Sequence, residues 1–494
     1  MKAHRLTLVL LFCLSFFSNI YFLGSSGIGG YNAACRAALT VALVEHGTTS
    51  IDALQDLTDD KALLKGHRYC DKAPGMSFLA LPVAEAFVAT VNPSHDDALW
   101  HNHDKGPERG SIAFAALIGL STVFTAGLLT AISVVVLCKI VMEFGGGIRC
   151  AVATALVYGQ ATPIWLWATG FYGHSAAAAM LVMGIHSVLR MRDGPARREA
   201  RWALWCGMAL GWSTLVEFTA AVPAVMLMVF VFFTSSGRAL WRRLGLIVLG
   251  GLPELGLLLA YNAATFGSPF ELGYLHSEVF NGMHTGFYGI GAPSLSVLLE
   301  ITVGQERGLL LLSPVLALVP LGAVSAAVSP RWRALGALCI LIAGYYFLLN
   351  SGFVYWDGGY STGPRHVTAA LPFACLLLAP LWERGGQLAR RAIVILGAVS
   401  GLICLIAVAV DSAMPNDSDL TAAGYLLPRF WQGHFRGGLA FVLERLGWPG
   451  TTPLLPFIII WCTVAAALWR AMCRASAEPS EVAARPLQRF SARA

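Results

Sequence analysis

Lys72 stands in YCDKAPG, residues 69–75, where Asp71 precedes it and a proline opens an apolar run. Arg365 stands in YWDGGYSTGPRH, residues 355–366, after a Gly-Pro turn and before another apolar run. A cation beside a proline-led helix start favours an anion, because the helix offers free N–H groups and the positive end of its dipole. A lipid phosphate lies at the depth of such a membrane edge, and a guanidinium can hold it through two parallel hydrogen bonds. The position of Lys72 also suits a snorkelling lysine paired with Asp71. Gly358, Gly359 and Gly363 let the backbone come close to a ligand. Tyr355, Trp356 and Tyr360 fit either an interfacial belt or a platform for a sugar ring.

Other polar groups gather in the connections between apolar runs. In YNAACRAALTVALVEHG, Asn32, Arg36 and Thr40 recur every four residues and form one polar stripe on a helix. Such a helix lies flat on the membrane or lines a cavity. The stretch that follows concentrates Asp60, His67, Tyr69, Asp71 and Lys72. His174 in the turn FYGH, Glu306 and Arg307 in GQERGLL, and Asp357 reach the same face. SHDDALWHNHDKGPE holds His95, Asp96, Asp97, His101, His103 and Asp104, ligand types that suit a divalent metal. Their spacing matches no metal pattern, so a solvated loop is the reading and no cofactor is expected.

These groups need a scaffold, and composition names its class. Of 494 residues 56% are hydrophobic and 13% charged, with mean hydropathy +0.64, against about 25% charged in soluble proteins. An integral membrane protein follows, with MKAHRLTLVLLFCLSFF read as a first span rather than a cleaved leader. The net charge of +6 comes without a Lys/Arg-dense tract, which argues against nucleic acid as a partner. Of 11 cysteines, Cys35 and Cys70 are the two placed to meet in an oxidising compartment.

Apolar runs near 6–24, 111–138, 150–168, 173–189, 203–235, 244–262, 308–327, 334–350, 367–382, 392–411 and 452–471 predict an all-α, polytopic fold. The run 203–235 carries Glu217 at its middle and reads as two short helices meeting there, which brings the expectation to about twelve spans. Arg-rich connections, among them Arg190, Arg192, Arg242, Arg243, Arg390 and Arg391, alternate with long connections at 25–110, 263–307, 351–366 and 412–450. The basic set is expected in the cytoplasm and the long set outside, provided 73–91 lies on or partly within the outer leaflet. One membrane domain covers 1–471, and 472–494 is a polar cytoplasmic tail.

Taken in order, these features resemble the GT-C superfamily of polytopic glycosyltransferases over roughly residues 6–382. The similarity is to its lipid-phosphate-sugar branch, which includes protein O-mannosyltransferases and lipid A aminoarabinose transferase. It rests on the long first outer loop, on YCDKAPG, similar to that branch's Tyr-x-x-Lys-x-Pro element, and on NAATFGSPFELGY and WDGGYSTGPRH. The resemblance implies a bacterial inner-membrane enzyme with a periplasmic active face. It would move sugar from a polyprenyl-phosphate donor to an envelope glycan, lipid or protein acceptor, among membrane lipids and without a cofactor.

Lys72 is then a donor-phosphate contact and Arg365 a second. Asn32 stands where the branch places its acid, so Asp60 or Asp71 is expected as the base. Asn32, Arg36, His67, Tyr69, His174, Asp357 and Tyr360 are the expected cavity residues. A flippase of a lipid-linked sugar and an O-antigen-ligase-like transferase are the alternative readings.

Overall fold

The computed structural model describes residues 2–24, 30–102, 110–191, 195–416 and 421–478. Seven helices among them are long and apolar enough to cross a membrane: Lys2–Tyr21 (α1), Ile112–Glu143, Gly237–Phe266, Arg333–Ser351, Arg365–Arg384, Gly386–Val410 and Thr452–Ala477. The other apolar runs are shorter or broken, so the expected twelve continuous spans become seven long helices with shorter ones packed between them. The break expected at Glu217 is present. Helix Ala196–Val216 ends there, Glu217 is extended, and helix Ala221–Thr234 follows one 3-10 turn later.

Where helices pack within a membrane, small residues set how closely they approach. A Cβ on Gly207 would lie 1.9 Å from the Ile247 carbonyl oxygen, and one on Gly250 would lie 2.2 Å from that of Leu204. Helix Ala196–Val216 and helix Gly237–Phe266 therefore cross at nearly backbone contact. At the other side of the bundle α1 meets the last helix, Leu455–Ala477, with Phe17 stacked on Phe457 at 5.7 Å between ring centres.

The first long connection contains helix Tyr31–His46 (α2), strands Lys61–Leu64 (β1) and His67–Cys70 (β2), and helix Gly75–Val91 (α3). This hairpin is the one small sheet among the described residues of an otherwise α-helical, polytopic fold. Lys65 and Gly66 both have positive φ, at 52° and 85°, which is the twist a two-residue hairpin turn requires. β1 and β2 pair antiparallel from Lys61 opposite Cys70 to Leu64 opposite His67. The hairpin is tied to the connection 263–307: the Arg68 guanidinium holds the Glu278 carboxylate through two bonds of 2.9 and 3.0 Å, and the Glu278 N–H donates to the Lys61 carbonyl at 2.9 Å.

α2 does not lie flat with a solvated face. The helix is buried all round from Asn32 to Ala42, and its polar stripe of Asn32, Arg36 and Thr40 is buried with the rest. Arg36 donates to Asn32 Oδ1 at 3.0 Å and to the Ala73 carbonyl at 2.8 Å, and Ser77 donates to the Arg36 carbonyl at 2.8 Å. A buried guanidinium demands such partners, so the stripe fastens α2 to the start of α3. The disulfide Cys35–Cys70 closes the same unit covalently. α3 has 17 residues and falls short of the spanning length.

Candidate functional site

A cavity of about 1620 Å³ opens where the long connections meet the helix ends. Pockets for drug-sized ligands measure about 300–1,000 Å³, so this cavity has room for a larger molecule. Lys72 enters from the segment between β2 and α3, and Arg365 from the turn before Arg365–Ala370. Asn32, Arg36, Asp60, His174, Asp357 and Tyr360 line the same space.

The Lys72 ammonium lies 3.0 Å from Asp71 Oδ1 and 3.1 Å from Asp60 Oδ1, with the rings of Tyr274 and Phe280 centred 5.6 and 5.7 Å away. Burial works against its charge, yet the two carboxylates together raise the ammonium above its usual range. Burial also pushes the Asp71 carboxyl up to about 6, against the downward pull of Lys72. Asp60 receives a fixed backbone position from its own N–H, which donates to Thr58 Oγ1 at 3.0 Å.

Arg365 is held differently. Gly358, at φ 73°, lies against it so closely that a Cβ there would come 3.0 Å from its Nε. That Nε is buried and has no hydrogen-bond partner among the described residues, while the guanidinium carbon lies 6.0 Å from the Tyr172 ring centre. The surrounding loop is secured by Arg307, which is fully buried. Arg307 donates to the carbonyls of Ser361 and Gly359, the latter at 3.0 Å, and pairs with Glu306 at 3.2 Å. Asp357 accepts from the Asn416 amide.

Two expected cavity positions, and one of the two expected bases, lie elsewhere. His67 is on the exposed side of β2, where its Nδ1 is 2.6 Å from Asp52 Oδ2. Tyr69 packs edge-on against Phe266 at 6.0 Å. Alternation along β2 explains both, because the disulfide directs Cys70 into α2 and sends its strand neighbours the other way. Asp71 is buried behind Lys72 and does not line the cavity.

The α3 N-terminus offers no open anion cradle either. A Cβ on Gly75 would lie 2.5 Å from the Leu215 carbonyl oxygen, so the C-terminal end of helix Ala196–Val216 abuts it. Opposite dipole ends meet there.

Of the metal-type residues near position 100, His103 and Asp104 lie outside the described residues. Asp97 instead joins Glu45 and His46 in a group whose ligand atoms lie within 4.8 Å. Those carboxylates already accept from Asn92, Trp100 and His46.

Sequence reasoning read Glu217 as a helix break and missed it as a cavity residue, along with Tyr172, Tyr274 and Asn350. An acid in the middle of an apolar run was the available signal for Glu217. The aromatic residues carried none.

The fold that carries this cavity recurs among solved structures. The chain is similar in fold to ArnT. It superposes on the crystal structure of ArnT from Cupriavidus metallidurans bound to undecaprenyl phosphate with a TM-score of 0.51 and 16% identity, covering 95% of this chain and 75% of that one. The apo structure of ArnT gives 0.50 at the same identity and coverage. No family model matches the sequence. No curated protein matches it either. The fold expected from the motif resemblance is thus matched by an ArnT-like architecture.

Proposed function

We propose that this protein is a membrane glycosyltransferase that takes a sugar from a polyprenyl-phosphate donor and passes it to an acceptor of the cell envelope. The observation that carries the reading is the pair of cations in one cavity, Lys72 and Arg365, the latter with a buried Nε that lacks a partner. A phosphate oxygen supplies what that nitrogen lacks, and a buried polar group left unpaired is costly. The fold supports the same donor, since ArnT binds undecaprenyl phosphate.

Lys72 and Arg365 would offset the charge that develops on the departing phosphate, which is where fixed cations lower a barrier most. Asp60 and Asp71 both touch the Lys72 ammonium, so their first role in this reading is to aim it. The Cys35–Cys70 disulfide accords with a cavity on the oxidising, periplasmic side. The lipid tail would lie between apolar helices, with the sugar near Asp357 and Tyr360.

Two measurements test this. Envelope glycans and lipids from cells with and without the protein, compared by mass spectrometry, should differ by one sugar on one acceptor class. Purified protein should bind undecaprenyl phosphate, and Lys72→Ala should weaken that binding at least tenfold. Identical envelopes, or equal binding by the variant, would overturn the reading.

A further inference from the structure

Glu217 and His174 form a carboxylate–imidazole pair inside the cavity, and neither belongs to the ion pairs that Lys72 makes with Asp60 and Asp71. His174 Nδ1 lies 3.2 Å from Glu217 Oε2, and both residues line the cavity with Lys72. Their positions are fixed from two directions. Glu217 sits at the break between helices Ala196–Val216 and Ala221–Thr234, in extended backbone at φ −150° and ψ 110°. His174 is the second residue of helix Gly173–Arg190. Gly173 permits the contact, since a Cβ there would lie 2.8 Å from Glu217 Oε2 and 2.7 Å from the Val216 carbonyl oxygen.

The pair is confined by its neighbours. Around His174 stand Trp167 and His366, edge-on at 6.1 and 5.6 Å, and Tyr172, stacked at 6.4 Å. Glu217 Oε2 has no hydrogen-bond partner among the described residues and stands 3.2 Å from Nδ1, so an imidazole proton on Nδ1 would satisfy it and would leave Nε2 as the proton acceptor. This is the logic by which a buried carboxylate fixes the tautomer of a histidine base. A carboxylate and a histidine buried in the path of apolar helices are costly without a task, and holding the lipid phosphate does not require them.

We infer that His174 is the general base of the transfer, with Glu217 as its positioning residue. The inference rests on the glycosyltransferase reading and supplies the proton acceptor that Asn32, an amide, cannot be. In the step, the acceptor hydroxyl loses its proton to His174 Nε2 as its oxygen forms the bond to the sugar anomeric carbon. The bond from that carbon to the phosphate oxygen breaks. The electron pair leaves with the phosphate, against Lys72 and Arg365, and the Glu217 carboxylate balances the new imidazolium.

Asp60 and Asp71 are less suited to this task, because both lie within 3.1 Å of the ammonium assigned to the leaving phosphate. If the acceptor attacks from the opposite side of the sugar carbon, its base belongs away from that ammonium.

The test uses purified full-length protein added to membranes of cells that lack it, which hold both donor and acceptor. Release of free polyprenyl phosphate and sugar transfer are followed by mass spectrometry, beside a direct titration with undecaprenyl phosphate. His174→Gln should lower transfer about 100-fold or more, and Glu217→Gln about tenfold or more, both through kcat. Both variants should bind undecaprenyl phosphate as wild type does, and the double variant should fall no lower than His174→Gln alone.

Wild-type turnover by His174→Gln, or loss of undecaprenyl phosphate binding by both variants, would overturn the assignment. In the second case the pair would serve lipid binding or the fold. Failure of the glycosyltransferase reading looks different: the wild-type protein itself would then release no polyprenyl phosphate.

Discussion

Cys70 is disulfide-bonded to Cys35, which places the bond one residue before Asp71 and one before Arg36 in the two segments it joins. The chain between the cysteines closes a loop of sequence separation 35, and a bridge of that size contributes about 2–4 kcal/mol in the chain-entropy account. Replacing both cysteines by serine should lower thermal stability by that order. It should also raise the donor concentration needed for half-maximal transfer, because Lys72 would lose its fixed approach. A variant with unchanged melting temperature and unchanged donor dependence would show that Arg36 and Ser77 hold the unit without the bridge.

If Lys72 and Arg365 share one phosphate, their substitutions should not be independent. Lys72→Ala and Arg365→Ala should each weaken donor use, and the double variant should lose clearly less than the sum of the two free energies. Transfer rate against donor concentration for the four proteins decides the matter. Strict additivity would assign the two cations to different groups on the substrates.

Asp71 carries a pH signature. Burial pushes its carboxyl up to about 6, above the ordinary value of 3.8, so the folded protein holds that proton more tightly than the unfolded chain. The corresponding stability is fully present below about pH 4 and is lost as pH rises through about 6. Melting temperatures of wild type and Asp71→Asn between pH 4 and 7 should therefore diverge, with the wild type losing ground relative to the variant as pH rises. A difference that stays constant across the window would contradict the raised carboxyl.

Arg307 does not itself line the cavity, yet it holds the loop that carries Arg365. Arg307→Met would leave the carbonyls of Gly359 and Ser361 without this donor and would remove the Arg307–Glu306 ion pair. Breaking a buried ion pair of this kind costs about 3–5 kcal/mol. Thermal unfolding should show that loss, and limited proteolysis should cut within 351–366 where the wild type resists. Equal resistance would mean that Gly358 packing alone secures the turn.

The class of the protein was legible in the sequence because the membrane is a demanding solvent. Apolar runs of spanning length, an acid marking the break at Glu217, and a cysteine pair among polar loops each reflect a one-dimensional constraint. Lys72 and Arg365 were legible for the same reason, as charges at apolar edges. What the sequence did not carry was direction. The same polar stripe on α2 fits a water-facing or an inward helix, and only packing against Ala73 and Ser77 turned Arg36 inward. Strand alternation and the disulfide together took His67 and Tyr69 out of the cavity. The meeting of His174 with Glu217 depends on three segments and on the missing side chain of Gly173. Contacts between residues 43 positions apart arise from tertiary packing, and no local pattern of charge or hydropathy encodes them.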